Sequence, residues 1–281
     1  MLKKRLIACL IIKEGLIVQS YNFKNYLPIG KPNFAVEYAS RWDVDEIILI
    51  DIDASKNNTI IDPKLVEEIS KYTLVPLSVG GGLKRVSEVK SIISAGADKV
   101  VLNSSINESP ELIDKVASVF GTQSIVASID CFKNSSDEHF VYSYLNQSKT
   151  NLSPIELAKR YEKYGAGEIF LNSKDRDGSR KGFDLKLISK VSRSISIPLI
   201  ACGGVGIFEH FAEGINAGAS AVAAANIFQH IEHSTIIAKA HLFNSGIDIR
   251  LDLPANYQNR RFDESGRLIK LDQNKLSITN H

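Results

Sequence analysis

Short apolar runs alternate along the chain with stretches whose apolar residues recur every three or four positions. The runs are Arg5–Ile11, Glu46–Asp51, Pro76–Val79, Lys99–Asn103, Ser124–Asp130, Glu168–Asn172, Pro198–Cys202 and Ala221–Ala225. Several are apolar at nearly every position, as strands covered on both faces must be, and this predicts a parallel sheet. The helical periodicity between them predicts helices near Phe34–Ser40, Pro63–Tyr72, Val86–Ala95, Pro110–Phe120, Ser153–Tyr164, Leu185–Ser194, Glu209–Ala217 and Thr235–Ser245. Strands and helices in strict alternation predict an α/β fold, a closed (β/α)8 TIM barrel. A doubly wound open sheet is the competing arrangement.

An internal repeat favours the barrel. Val75-Pro-Leu-Ser-Val-Gly-Gly-Gly-Leu83 returns as Ile197-Pro-Leu-Ile-Ala-Cys-Gly-Gly-Val205, and Ala95-Gly-Ala97 as Ala217-Gly-Ala219, at an offset of 122 residues. A period that long is half of a larger fold rather than a solenoid unit. Two similar half-barrels of four strands each close symmetrically. Residues 15–33 and 131–152 read as long loops at equivalent places in the two halves, on the face where barrel enzymes hold their active sites. Residues 1–251 are expected to form one barrel domain. The polar residues 252–281 are expected to be a tail, on the surface or disordered.

Composition narrows the class. The chain has 281 residues, 44% of them hydrophobic, and a net charge of +2. Its basic residues are scattered without an aromatic-interleaved stripe, so no nucleic-acid partner is expected. Cys9, Cys131 and Cys202 each sit beside an apolar run, which favours reduced thiols and a cytoplasmic setting. The start, Met1-Leu-Lys-Lys-Arg5 and then Leu6–Ile12, is read as a first strand rather than a leader, because it runs into Lys13-Glu14 without a small-residue cleavage site. No segment is long enough to span a bilayer. No histidine has a His or Cys partner at zinc spacing, so no metal is expected. There is no nucleophile elbow, Walker loop or complete dinucleotide fingerprint, and no cofactor is expected.

The chemistry lies at the strand ends. Asp130 closes an apolar strand, where desolvation can raise its pKa for proton transfer; a loop-capping Asp is the bland alternative. The repeat aligns Ile11, not a second carboxylate, with Asp130. Gly81 and Gly82 pair with Asn103 and Ser104 as one candidate phosphate cradle. Gly203 and Gly204 pair with Ala225 and Asn226 as the other, the glycines offering backbone N–H groups and the Asn and Ser side-chain donors. Asp177 and Gly178 add a carboxylate and a turn to the same rim. Two such cradles on opposite rims imply a substrate with two phosphates, or the remnant of a site for one. Arg5, Glu46, Lys99 and Glu168 stand at the opposite strand ends, as solvated charges or, if turned inward, as a ring at the barrel's base.

Val79-Gly-Gly-Gly82, Ala95-Gly-Ala-Asp-Lys99, Gly165-Ala-Gly-Glu168, Asp175-Arg-Asp-Gly178 and Ala201-Cys-Gly-Gly204, in that order, resemble the HisF family, the cyclase subunit of imidazole glycerol phosphate synthase. The resemblance extends to about Leu251. It implies a (β/α)8 barrel that receives ammonia from a HisH-like glutaminase docked at the strand N-termini. It also implies that Arg5, Glu46, Lys99 and Glu168 are the ammonia gate, Asp98 an interface residue and Asp130 a catalytic carboxylate. The family's other catalytic carboxylate is replaced by Ile11, and a basic residue of the following loop by Gln19. Segments such as Phe23-Lys-Asn-Tyr26, Asp51-Ile-Asp-Ala-Ser-Lys56 and Leu171-Asn-Ser173 resemble a divergent branch associated with acetamidino modification of bacterial surface sugars. In that branch ammonia passes to a separate ATP-dependent sugar amidotransferase. Three readings follow: an ammonia-conducting subunit for amidination, a histidine-pathway cyclase, and a silent scaffold that activates its glutaminase.

Overall fold

A computed structural model describes residues 3–21, 23–41, 43–134, 136–143, 148–150, 152–230 and 234–250. Residues 252–281, expected above to be a tail, lie outside them. In chain order the strands and helices are β1 (Arg5–Lys13), β2 (Leu16–Tyr21), β3 (Asn25–Gly30), α1 (Pro32–Arg41), β4 (Glu46–Asp51), α2 (Pro63–Ser70), β5 (Leu77–Gly80), α3 (Val86–Ser94), β6 (Lys99–Leu102), α4 (Ser104–Glu108) and α5 (Glu111–Phe120). Then follow β7 (Ile125–Lys133), β8 (His139–Ser143), β9 (Ser148–Lys149), α6 (Pro154–Lys163), β10 (Glu168–Ser173), α7 (Leu185–Ser192), β11 (Leu199–Cys202), α8 (Glu209–Asn216), β12 (Ala221–Ala224), α9 (Ile227–His230) and α10 (Ser234–Asn244).

Eight of these strands pair in parallel in the order β1-β4-β5-β6-β7-β10-β11-β12, and β12 returns to β1 with Arg5↔Ala221 and Leu6↔Val222. The sheet is therefore a closed (β/α)8 barrel. Strand alternation divides its apolar residues into two cores. On β1, Leu6, Ala8, Leu10 and Ile12 face outward into the layer shared with the helices. Ile7 and Cys9 face inward and pack with Ile48, Val101, Val126, Phe170, Ile200, Ala221 and Ala223. Burial on both sides is the physical reason the strands read as unbroken apolar runs.

The repeated Ala-Gly-Ala is a helix stop. Gly96 and Gly218 adopt φ of +107° and +115°, and the following alanine N–H reaches back to Ile92 O at 3.3 Å and Gly214 O at 3.2 Å. This left-handed cap ends α3 and α8 and drops each chain into the next strand.

The two long loops need correcting. Residues 15–33 and 131–152 contain β-hairpins, not irregular chain. β1 and β7, each nine residues long, run past the barrel rim. β2 folds back antiparallel on β1 (Ile11↔Val18) and β8 on β7 (Cys131↔Val141). The second hairpin is fastened to the barrel by a buried pair, His139 Nε2 to Asp184 Oδ2 at 2.8 Å. Asp184 also caps α7, accepting from the Leu187 N–H at 3.0 Å. Burial pushes the Asp184 carboxyl up, but the hydrogen bonds from His139 and Leu187 outweigh it and hold the pKa at about 2.

Because that folded-state value is depressed, Asp184's contribution to stability is complete above its unfolded pKa of roughly 4 and is lost as pH falls through about 2. Asp184→Ala is expected to lower stability at neutral pH by about 1–2 kcal/mol and to flatten the acid limb of a urea-unfolding series. An unchanged acid limb would show that the pair does not fasten the hairpin.

Candidate active site

The carboxyl ends of the barrel strands surround a cavity of about 570 Å³. Gly81, Gly82, Asn103, Ser104 and Asp130 line one side; Asp177, Gly178, Gly203, Gly204, Ala225 and Asn226 line the other. The fold thus brings all eleven strand-end candidates to one place. Ile11 lines it as well.

Asp130 is buried and held by two amides. Asn103 Nδ2 donates to its Oδ2 at 2.5 Å and Asn172 Nδ2 to its Oδ1 at 2.7 Å. Behind Asn103 the order is set by a relay. The buried Tyr161 hydroxyl donates to Asn107 Oδ1 at 2.6 Å, and Asn107 Nδ2 to Asn103 Oδ1 at 3.3 Å. Asn172 Oδ1 is left buried with no hydrogen-bond partner. An orphaned acceptor of this kind costs about 1–3 kcal/mol and marks a place where geometry is kept for something other than stability.

The cradles differ from the expectation in one respect. Asn103 spends its amide donors on Asp130 and Ser128. Asn226 exchanges bonds with the Ser20 backbone, Nδ2 to O at 2.7 Å and Oδ1 from N at 3.3 Å. Both Asn103 amide hydrogens are thus engaged, whereas Asn226 keeps one N–H beyond its bond to Ser20, so that donor, the backbone N–H groups and the Ser104 and Ser105 hydroxyls remain. Gly82 is where a side chain is least tolerable: φ is +69°, and a Cβ would lie 1.9 Å from Thr59 O.

Two further carboxylates line the cavity, Asp51 at the end of β4, whose Oδ1 accepts from the Asp53 and Ala54 N–H groups, and Asp177. Asp177 Oδ2 accepts from the Ser20 hydroxyl at 2.7 Å. Burial pushes its pKa to about 6, with the Asp130 charge adding to the rise and the Ser20 hydroxyl and Phe23 N–H opposing it. Composition gave no sign of the mouth's aromatic wall. Phe23 and Tyr26 come from the first hairpin and Tyr142 from the second, with the Lys174 ammonium 3.1 Å over the Tyr142 ring centroid. Asn172, Ser20 and Tyr142 were missed by sequence reading because only the hairpins and strand pleat bring Asn172 to Asp130, Ser20 to Asp177 and Tyr142 to the cavity wall.

At the opposite end of the barrel the four charges meet. Arg5 Nη1 donates to Glu46 Oε2 at 2.7 Å and Arg5 Nη2 to Glu168 Oε2 at 2.6 Å. Lys99 Nζ reaches Glu46 Oε2 at 3.0 Å and Glu168 Oε1 at 2.7 Å, and the Ser78 hydroxyl completes Glu46 at 2.6 Å. Burial pushes Glu168 up, but the Arg5 and Lys99 bonds and charges hold its pKa below the ordinary value. Beside this ring, Asp98 accepts from the Leu77 N–H at 2.8 Å.

The model of the family described as "Histidine biosynthesis protein" matches residues 5–234. A Vibrio vulnificus (strain YJ016) protein provisionally named imidazole glycerol phosphate synthase subunit hisF2 is 47% identical over 95% of this chain and 98% of its own length. "Imidazole glycerol phosphate synthase subunit HisF" of Thermococcus gammatolerans is 42% identical over 90% of this chain and all of its own. Its Exiguobacterium sibiricum namesake is 39% identical over 89% of this chain and all of its own. The chain belongs to the HisF family.

Within that family's barrel, the residues named from the resemblance separate into two groups, the base ring and the mouth cavity, with the apolar interior between them. Neither Cys131 nor Cys202 is poised as a nucleophile. Burial raises Cys131 well above its usual value, and a hydrogen bond to Cys9, then burial, does the same to Cys202. The described residues hold no cluster fit for a metal ion and no helix long and apolar enough to cross a membrane.

Asp177 gives this site a pH signature. Its folded pKa is raised, so the stability tied to its protonated form is present at low pH and lost as pH rises through about 6. Asp177→Asn is expected to stabilise the protein at pH 8 relative to pH 4 by on the order of 2 kcal/mol. Parallel stability curves for variant and wild type would refute the strained carboxylate.

Proposed function

We propose that this chain is the synthase subunit of a glutamine amidotransferase, taking ammonia from a HisH-like glutaminase at the strand N-termini and delivering it to the Asp130 cavity. The single observation that supports this reading is the arrangement along the barrel axis. A self-neutralised ring closes the base, small and apolar residues fill the interior, and a cavity lined by two glycine loops opens at the top. Neutral ammonia can cross an apolar interior, whereas ammonium would have to shed its hydration at a cost of several kcal/mol. Asp98, beside the ring, would lie under the docked glutaminase.

The acceptor in this reading is an amidination system for a surface-polysaccharide sugar, with a separate ATP-dependent sugar amidotransferase using the ammonia in the cytoplasm. Ile11 favours it. Ring closure and cleavage need proton transfers on two faces of a substrate, and isoleucine moves no proton. Asp177 favours a second reading, the histidine-pathway cyclase. It is a carboxylate with a pKa of about 6 in the same cavity as Asp130, suited to act as the other acid or base.

Turnover of the phosphoribulosyl formimino substrate with ammonium separates the two. Amidination predicts a rate below that of a two-carboxylate HisF by roughly a hundred- to ten-thousand-fold. Near-normal turnover that is lost in Asp177→Asn would establish the cyclase instead. In complex with the glutaminase, Lys99→Ala is expected to leave glutamine hydrolysis intact, lower product per glutamine, and be rescued by external ammonium. Unaltered coupling in that variant would favour a scaffold that only activates its partner.

A further inference from the structure

A second buried charge cluster lies at the base of the barrel, outside the ring. Lys239, on α10, is 2% exposed. Its ammonium meets Asp45 Oδ1 at 2.8 Å and Asp43 Oδ1 at 3.3 Å. The other Asp45 oxygen accepts from the Leu6 N–H at 2.7 Å, and the Asp45 N–H donates to Leu6 O at 2.8 Å. Asp45 therefore brackets both polar groups of Leu6.

The neighbours of these two residues make that bracket matter. Leu6 follows Arg5, and Asp45 precedes Glu46. The ladder between β1 and β4 begins only at Ile7↔Glu46, so on that side Leu6, the residue after Arg5, is held by Asp45, while Arg5 itself pairs with Ala221 of β12. Docking α10 does not by itself require a charge. An apolar side chain at position 239 would pack there without the desolvation that a buried ammonium incurs. The Arg5 guanidinium must meet two carboxylates at once, at 2.7 and 2.6 Å. Such a fork tolerates little displacement of its backbone.

We propose that Lys239 and Asp45 are positioning residues for the ring: the α10 ammonium fixes the Asp45 carboxylate, which fixes the Arg5–Leu6 backbone and so seats Arg5 between Glu46 and Glu168. Its consequence for ammonia passage rests on the gate reading above, while the positioning itself does not.

The test follows the Glu168 carboxyl by NMR in protein carrying ¹³C-labelled glutamate. The groups facing it are Arg5 and Lys99, with Glu46 and Ser78 beside them. The variant is Lys239→Met/Asp43→Asn, which removes one charge of each sign and leaves the net charge unchanged. Loosening of Arg5 is expected to raise the Glu168 midpoint by about half a pH unit or more. Asp62→Ala, which removes the α2 cap and its bond to the Lys64 N–H, lowers stability without touching the ring and is expected to leave that midpoint in place. If the methionine variant does not fold, Lys239→Gln/Asp43→Asn supplies the same reading. A wild-type Glu168 midpoint in either folded variant overturns the positioning role, whatever substrate the barrel serves.

Discussion

Closing parallel strands into a tube puts half of their side chains in a space that water barely enters. Any polar group there must be given a partner by another strand. The two ends of this barrel meet that demand differently. At the base, Arg5 and Lys99 neutralise Glu46 and Glu168, and all four come from different strands. At the top, Asp130 is satisfied by neutral amides, Asn103 and Asn172. The first solution makes a plug whose charges cancel. The second keeps a carboxylate ordered by neutral donors, and its charge adds to the burial that raises the pKa of Asp177.

The halves of the barrel keep one backbone plan and have parted in chemistry. β1 and β7 both overrun the rim into hairpins. One carries Ile11 where the other carries Asp130. Their fastenings differ too. The first hairpin reaches across the mouth through Ser20 to Asp177 and Asn226, whereas the second is tied by the buried His139–Asp184 pair. The further carboxylates at the mouth therefore come from the end of β4, Asp51, and the loop after β10, Asp177, rather than from the symmetry mate of Asp130.

The alternation of strand and helix, the two-fold repeat and the glycine turns follow from the amino-acid order alone. These are local consequences of backbone sterics and of burial on both faces of a strand, written in consecutive residues. The eight strands and the shared position of the glycine loops were legible for that reason. The hairpins were not. Gly15–Asn33 and Cys131–Leu152 contain too many polar residues to read as strands, and they pair only because β1 and β7 extend far enough to template them. Arg5, Glu46, Lys99 and Glu168 could have been solvated strand ends. Closure of the sheet, which sets the pleat of four separate strands, turned them inward. Nor could spacing reveal that Asn103 and Asn226 spend their amides on Asp130 and Ser20, or that Lys239 reaches Asp45 across 194 residues. Such partnerships depend on which strands become neighbours, and that was decided only by the tertiary structure.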